Sequence, residues 1–140
     1  FGCWTQSPGE CVIEDDAPII DAKIIQSDVV VYFTPLTFGA YSPLLKNQLD
    51  RSICLVHPYF TRVHGEIHHK KRYPKYPSIL GIALLDQADD EIESLFHRNI
   101  QRNAINLHSP SFASEIVYYY QSDSEISAAI DAGIANLEVV

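Results

Sequence analysis

The sequence predicts an α/β fold, a parallel sheet with helices on both faces, and three observations predict it. Short, unbroken apolar runs recur at Asp28–Phe33, Ser78–Leu85 and Ser114–Tyr120. Runs without polar alternation mark strands buried on both faces. Segments with apolar residues at helical spacing lie between and around these runs. The order helix, strand, helix, strand, helix, strand, helix alternates strictly. It implies parallel strands joined by right-handed crossovers in a three-layer α/β/α arrangement.

Each element carries its own local reason. Phe1 to Glu14 reads as loop, with Pro8-Gly9 as a turn signal. Asp15 or Asp16 suits an N-cap, Pro18 a first helical turn, and Ile20 and Ile24 share a face of a helix ending near Gln26. After the first strand, Ser42 offers a second N-cap and Pro43 a first-turn residue, with Leu45, Leu49 and Ile53 turned inward. Leu55 to Pro77 reads as a long connection rich in Pro, Tyr and His, a length that is uncommon and often functional. Asp86 to Asp90 caps a helix that carries Ile92, Leu95, Phe96 and Ile100 inward, with Arg98 and Arg102 toward its end. Ser122 to Glu125 forms a capping box for a last helix whose buried stripe is Ile126, Ile130 and Ile134.

The chain has 140 residues, 46% hydrophobic and 20% charged, which predicts one domain spanning 1–140 with a real core. No apolar run approaches the roughly 18 to 20 residues of a membrane span, and no secretory signal is present. The cytoplasm is the expected location, with no membrane partner. A net charge of −8 argues against a nucleic-acid partner. The charge is uneven: Arg62, Lys70, Lys71, Arg72 and Lys75 cluster against the single acid Glu66, whereas beyond Asp86 only Arg98 and Arg102 offset the acids. The sequence holds no methionine and begins as if inside a loop, so an N-terminal segment of the domain is expected to be missing from it.

The loop after the first strand, Thr34 to Tyr41, lies where open α/β sheets bind ligands, beyond a strand's carboxyl end. Pro35 holds the turn, and Gly39 permits close approach or a positive φ. Thr34 and Thr37 bring hydroxyls, and Phe38 and Tyr41 bring flat apolar surfaces. The set suits a planar heteroaromatic ring with a polar edge. A plain strand-to-helix turn with its aromatics packed on the core fits the same residues.

The stretches "CWTQSPGECVIEDD" (Cys3 to Asp16), "SDVVVYFTPLTFGAYSPLLKNQLDR" (Ser27 to Arg51) and "RYPKYPSILGIALL" (Arg72 to Leu85) resemble the NAD(P)H-dependent FMN reductase family, including the flavodoxin-fold iron–sulfur flavoproteins. The resemblance implies a flavodoxin-like sheet and non-covalent FMN, with Thr34, Pro35, Leu36, Thr37, Phe38 and Gly39 lining its ring. Lys46 and Arg51 match positions in the family's next helix, where Asp50-Arg51 reads as a structural ion pair. The turn Asp86 to Ala88 departs from the family, whose members often have glycines there. The family's first strand and phosphate loop would precede Phe1.

Cys3, Cys11 and Cys54 are one thiolate short of a [4Fe–4S] ligand set, so no cluster is expected within this chain. His57, His64, His68 and His69 lack zinc-type spacing, and no metal site is expected. Lys70, Lys71 and Arg72 are the expected contacts for the phosphates of NADPH, over this chain's flavin or a neighbouring subunit's. The functional reading is an FMN-dependent NAD(P)H oxidoreductase passing electrons to a small-molecule acceptor, with no acid–base catalytic residue. Phe38, Tyr41, Tyr59 and Phe60 are candidates for the nicotinamide slot, and a homodimer or homotetramer is expected. The rival is a non-catalytic flavodoxin-like electron carrier or partner-binding module.

Overall fold

The structure, a computed structural model, describes residues 2–137. The elements run α1 (Gly2–Thr5), α2 (Ala17–Gln26), β1 (Val29–Pro35) and α3 (Pro43–Arg51), then a 3-10 turn (Ser52–Leu55). They continue as β2 (Val56–Val63), β3 (Glu66–Lys71), β4 (Ser78–Leu85), α4 (Asp90–Asn106), β5 (Phe112–Tyr118) and α5 (Asp123–Ala135). β1, β4 and β5 form a parallel sheet in that spatial order. Its rows align Val30 with Ile79 and Phe112, and Thr34 with Ala83 and Ile116.

The two faces of β4 serve two cores. Ile79 and Ala83 pack with Tyr32, Tyr41, Phe96 and Ile100 on the side of α3 and α4. Leu80 and Ile82 pack with Val117 and, from α5, Ile126 and Ile130 on the other side. This is the period-two division of a fully covered strand. Gly81 lets α4 approach closely, because a Cβ there would collide with Ile100 and crowd Phe96.

The helix starts follow their sequence signals. Ser42 Oγ accepts the Leu45 amide at 3.4 Å with Pro43 behind it, and Asp89 caps α4 through the Glu91 and Ile92 amides. Ser122 and Glu125 complete the capping box of α5. At α2 the cap differs in detail: Asp15 rather than Asp16 takes the Ala17 amide, at 3.1 Å.

Five expectations need correction. Phe1 to Glu14 is not all loop, since Gly2–Thr5 forms a short helix. β1 is not buried on both faces: Tyr32 and Thr34 are, but Val31 is 50% and Phe33 60% exposed. α5 covers β4 and β5 and leaves that face of β1 bare among the described residues. In α5, Ile134 is half exposed because Gly133 is the residue set against Leu80 and Glu115. Leu55 to Pro77 is not a structureless connection; it holds the antiparallel hairpin β2–β3, closed by His64-Gly65 with φ of 50° and 85°. The third strand also starts two residues earlier than its apolar run, at Phe112, and ends at Tyr118.

The hairpin is anchored to the second half of α4. Arg102 meets Glu66 at 2.7 Å, and buried His68 lies between Asn106 Oδ1 at 2.9 Å and Glu66 Oε2 at 3.1 Å. At its base, Trp4 Nε1 donates to the Val56 carbonyl at 2.9 Å, and the Tyr76 hydroxyl to the Leu55 carbonyl at 2.7 Å. Among the described residues no helix is long and apolar enough to cross a membrane.

Candidate functional site

The carboxyl end of β1 is built from the inside outward. Thr34 is fully buried, and its hydroxyl accepts the Ser42 amide at 2.9 Å while donating to the Pro35 carbonyl at 2.9 Å. The strand end is thereby tied to the cap of α3. The Leu36 amide donates to the Leu84 carbonyl at 3.1 Å, extending the ladder one residue past the strand.

Thr37 and Ala40 then exchange both backbone hydrogen bonds, at 2.9 and 3.0 Å, and close a two-residue turn. Phe38 and Gly39 at its tip have φ of 52° and 73°. Two consecutive positive φ values are the signature of a type I′ turn, which accepts glycine readily and phenylalanine at a cost. Gly39 is buried, and a Cβ on it would sit 3.2 Å from Leu95 Cδ1. The Phe38 ring stands wholly in solvent. The amides of Phe38 and Gly39 have no acceptor among the described residues. The tip therefore places two backbone N–H groups beside a bare aromatic ring, a combination that suits the polar edge and flat face of a heteroaromatic ligand.

The neighbouring strand ends complete this rim of the sheet. Beyond β5, the Tyr118 and Tyr120 rings stack at 5.2 Å, and Tyr119 and Tyr120 are exposed. The Tyr118 hydroxyl donates to Glu93 at 2.8 Å, and that carboxylate, aided by burial, pushes it up to about 12. The first turn of α4 carries Asp90, Glu91 and Glu93, and that of α5 carries Asp123 and Glu125. A phosphate would be repelled from both. The first turn of α3 carries no acid.

The site residues read from the sequence are thus divided. Pro35, Leu36, Thr37, Phe38 and Gly39 do share the rim, but the Thr34 hydroxyl is consumed internally. Tyr41 is core rather than slot: it is buried, edge-on to Phe96, and its hydroxyl accepts from Asn103 Nδ2 at 2.6 Å. Tyr59 and Phe60 lie on the hairpin, where Phe60 stacks on His69 at 4.8 Å. Lys70, Lys71 and Arg72 end that same hairpin. The Arg72 guanidinium donates to the Trp4 and Val56 carbonyls, each at 3.2 Å. Lys71 borders a cavity beside Phe112, in the row of Val30. That row is four residues from Thr34, roughly 13 Å along the strands. One protomer does not bring these basic residues to its own Phe38 tip. The tyrosines after β5 were missed, although three consecutive aromatics at a strand's carboxyl end were a readable signal.

The pairs in α3 also rearrange. Lys46 bonds Asp50 within the helix, and Arg51 reaches Asp15 with a second contact at 2.8 Å. Arg51 holds the Asp15 carboxyl down at about 2, helped by the Ala17 amide. Cys3, Cys11 and Cys54 are free thiols around a cavity of about 190 Å³. The Ile13 backbone and Arg51 lower the Cys11 thiol, whereas burial and Asp21 push Cys54 up to about 12. Among the described residues no three His, Cys, Asp or Glu side chains converge so as to hold a metal ion.

Residues 2–72 match the family profile for NADPH-dependent FMN reductase. No curated protein matches the chain. Among solved structures, the chain is similar to a protein of P. pentosaceus described as an NADPH-quinone reductase, with 13% identity over 93% of this chain and 79% of that one, and a TM-score of 0.61. At that identity the likeness shows a shared fold.

Proposed function

Because this chain belongs to the NADPH-dependent FMN reductase family, we propose that the Phe38–Gly39 tip holds the ring edge of FMN and that electrons pass there from NAD(P)H to a small-molecule acceptor. FMN is the family's cofactor and NAD(P)H its co-substrate. FMN, when bound, would supply the redox chemistry between NAD(P)H and the acceptor. The rest falls to the protein. The unpaired Phe38 and Gly39 amides would donate to the acceptor edge of the ring, and the Phe38 side chain would shield part of it from water. Thr34 keeps the tip in place through Ser42, while Pro35, Leu36 and Thr37 set the distance between strand and tip. No side chain need move a proton.

The acids in the first turns of α4 and α5 disfavour a phosphate at those helix starts. Lys70 and Lys71 meet a dinucleotide over a flavin only when that flavin belongs to a second copy. The exposed Tyr59 and Phe60 of the hairpin favour a homodimer or homotetramer.

The observation that carries the reading is the pair of unpaired amides beside a fully exposed ring. The test is FMN titration of the full-length protein, followed by anaerobic addition of NADPH. Saturable binding and bleaching of the bound flavin are expected. Flavin that binds but ignores NADPH while accepting electrons from a protein partner would make the chain a carrier. Failure to bind FMN would overturn both readings.

A further inference from the structure

A second concavity lies at the end of the sheet opposite the Phe38 tip. Its volume is about 650 Å³, and it is framed by the hairpin, the last turn of α4, the start of β5 and Asn136 just past α5. Arg62, His64, Lys71 and His108 all line it, and no carboxylate does among the described residues. In a chain of net charge −8 this is a local inversion of sign. Neither Arg62 nor Lys71 forms an ion pair among the described residues, unlike Lys46, Arg51, Lys75 and Arg102.

The negative ends of two helices approach the same space, which gives the cations a first explanation as dipole partners. That explanation is incomplete. The last carbonyls of α4 are already satisfied by backbone: Asn103 by the Leu107 amide at 2.9 Å, Ala104 by Ser109 at 2.9 Å and Ile105 by His108 at 3.1 Å. The chain achieves this by holding His108 at φ 57°, where glycine or asparagine is usual. His108 Nε2 then donates to the His69 carbonyl at 2.6 Å, leaving Nδ1 as the nitrogen available to a ligand. The other histidine of the wall, His64, is also left-handed, at φ 50°. Apart from Phe38, these are the non-glycine residues with positive φ among those described. Such conformations gather at ligand sites.

The size and walls limit the occupant. A cavity of about 650 Å³ exceeds what an inorganic anion fills and lies in the usual range for small-molecule sites. Val63, Ile105 and Phe112 add apolar surface to its wall, suited to a ring. We propose that this basin is a second binding site, for a phosphate-bearing ligand of nucleotide size, separate from the β1 rim. Arg62 and Lys71 meet the phosphate, His108 Nδ1 adds a third contact, and the ring lies against Phe112.

The test is calorimetric titration of ADP into the full-length protein saturated with FMN, with inorganic phosphate as the comparison. Saturable ADP binding is expected, weakened about tenfold or more by Arg62→Ala with Lys71→Ala and unaffected by Lys70→Ala, which would weaken it if ADP lay instead at the dinucleotide contact of a second copy. Flavin content should be the same in all variants. If the double variant does not fold, Arg62→Gln at its exposed hairpin position decides the matter, with a loss of about threefold or more. No ADP binding, or binding indifferent to Arg62 and Lys71, overturns the proposal. Phosphate binding as tightly as ADP overturns the nucleotide-sized assignment.

Discussion

The Ser42 amide donates to the buried Thr34 hydroxyl at 2.9 Å, across the loop that carries the Phe38 tip. This single bond couples the end of β1 to the start of α3, so the rim residues between them inherit their position from it. Thr34→Val keeps the shape and removes the acceptor, leaving a backbone donor unsatisfied. Such a loss costs about 1–3 kcal/mol. Urea unfolding should show that destabilisation, and FMN affinity should fall with it. Thr34→Ser retains the oxygen and should restore both. A Val variant with unchanged FMN affinity would mean that the tip is held by something else.

Phe38 offers the opposite case. Its ring touches solvent on all sides and contributes nothing to the core. Phe38→Ala should therefore leave the denaturation midpoint within about 0.5 kcal/mol of the parent protein. It even relieves none of the backbone strain, since alanine at φ 52° is no better placed. FMN affinity should nonetheless drop, by about 0.5–1.5 kcal/mol if the ring packs on the flavin. Stability without binding loss would remove Phe38 from the site.

The glycines separate two costs that are often merged. At Gly65 the φ is 85° and nothing lies within 4 Å of an added Cβ, so Gly65→Ala meets backbone strain alone, about 1 kcal/mol. At Gly81 the φ is ordinary, but a Cβ collides with Ile100 and crowds Phe96 in a fully buried core. Gly81→Ala should cost about 1–3 kcal/mol through overpacking. Pairing it with Ile100→Val should recover part of that loss, whereas the same Ile100 change should not help Gly65→Ala. Urea midpoints of the four variants check the ranking.

These contrasts also show what was readable in advance. The parallel sheet and its helix order were legible because apolar runs and caps are local signals: Ser42, Asp89 and Ser122 each cap the helix that follows. The burial of β4 on both faces was legible for the same reason. The exposure of Val31 and Phe33 was not, because it depends on how far α5 reaches across the sheet, which no residue of β1 encodes. The hairpin was hidden by its turn, since His64-Gly65 is a weaker signal than Asn-Gly and its strands are rich in charge. At the site, the composition of Thr34 to Gly39 suggested a rim. That Thr34 and Tyr41 would turn inward and Phe38 outward needed the backbone, because a type I′ turn reverses side-chain directions that a plain strand alternation would assign.

The last prediction concerns acid. Glu66 sits between Arg102 and His68, and those contacts, Arg102 first, hold its carboxyl down at about 2. An unfolded glutamate titrates near ~4.3. A carboxyl whose pKa is lower folded than unfolded stabilises the fold above the unfolded value and loses that contribution as the pH falls through the folded one. The grip of the hairpin on α4 should therefore be complete above about pH 5 and fade toward pH 2. Asp15, held at about 2 by Arg51, fades over the same range and ties the opposite side of the chain. Glu66→Gln should leave the shares of Asp15 and of Glu125, which the Ser122 hydroxyl and amide also hold down, giving a shallower loss of urea midpoint between neutral and acid pH. The hairpin should also become the first site of limited proteolysis in that variant at neutral pH, and in the parent protein only at acid pH. Equal acid sensitivity in the two proteins would show that Glu66 does not anchor the hairpin.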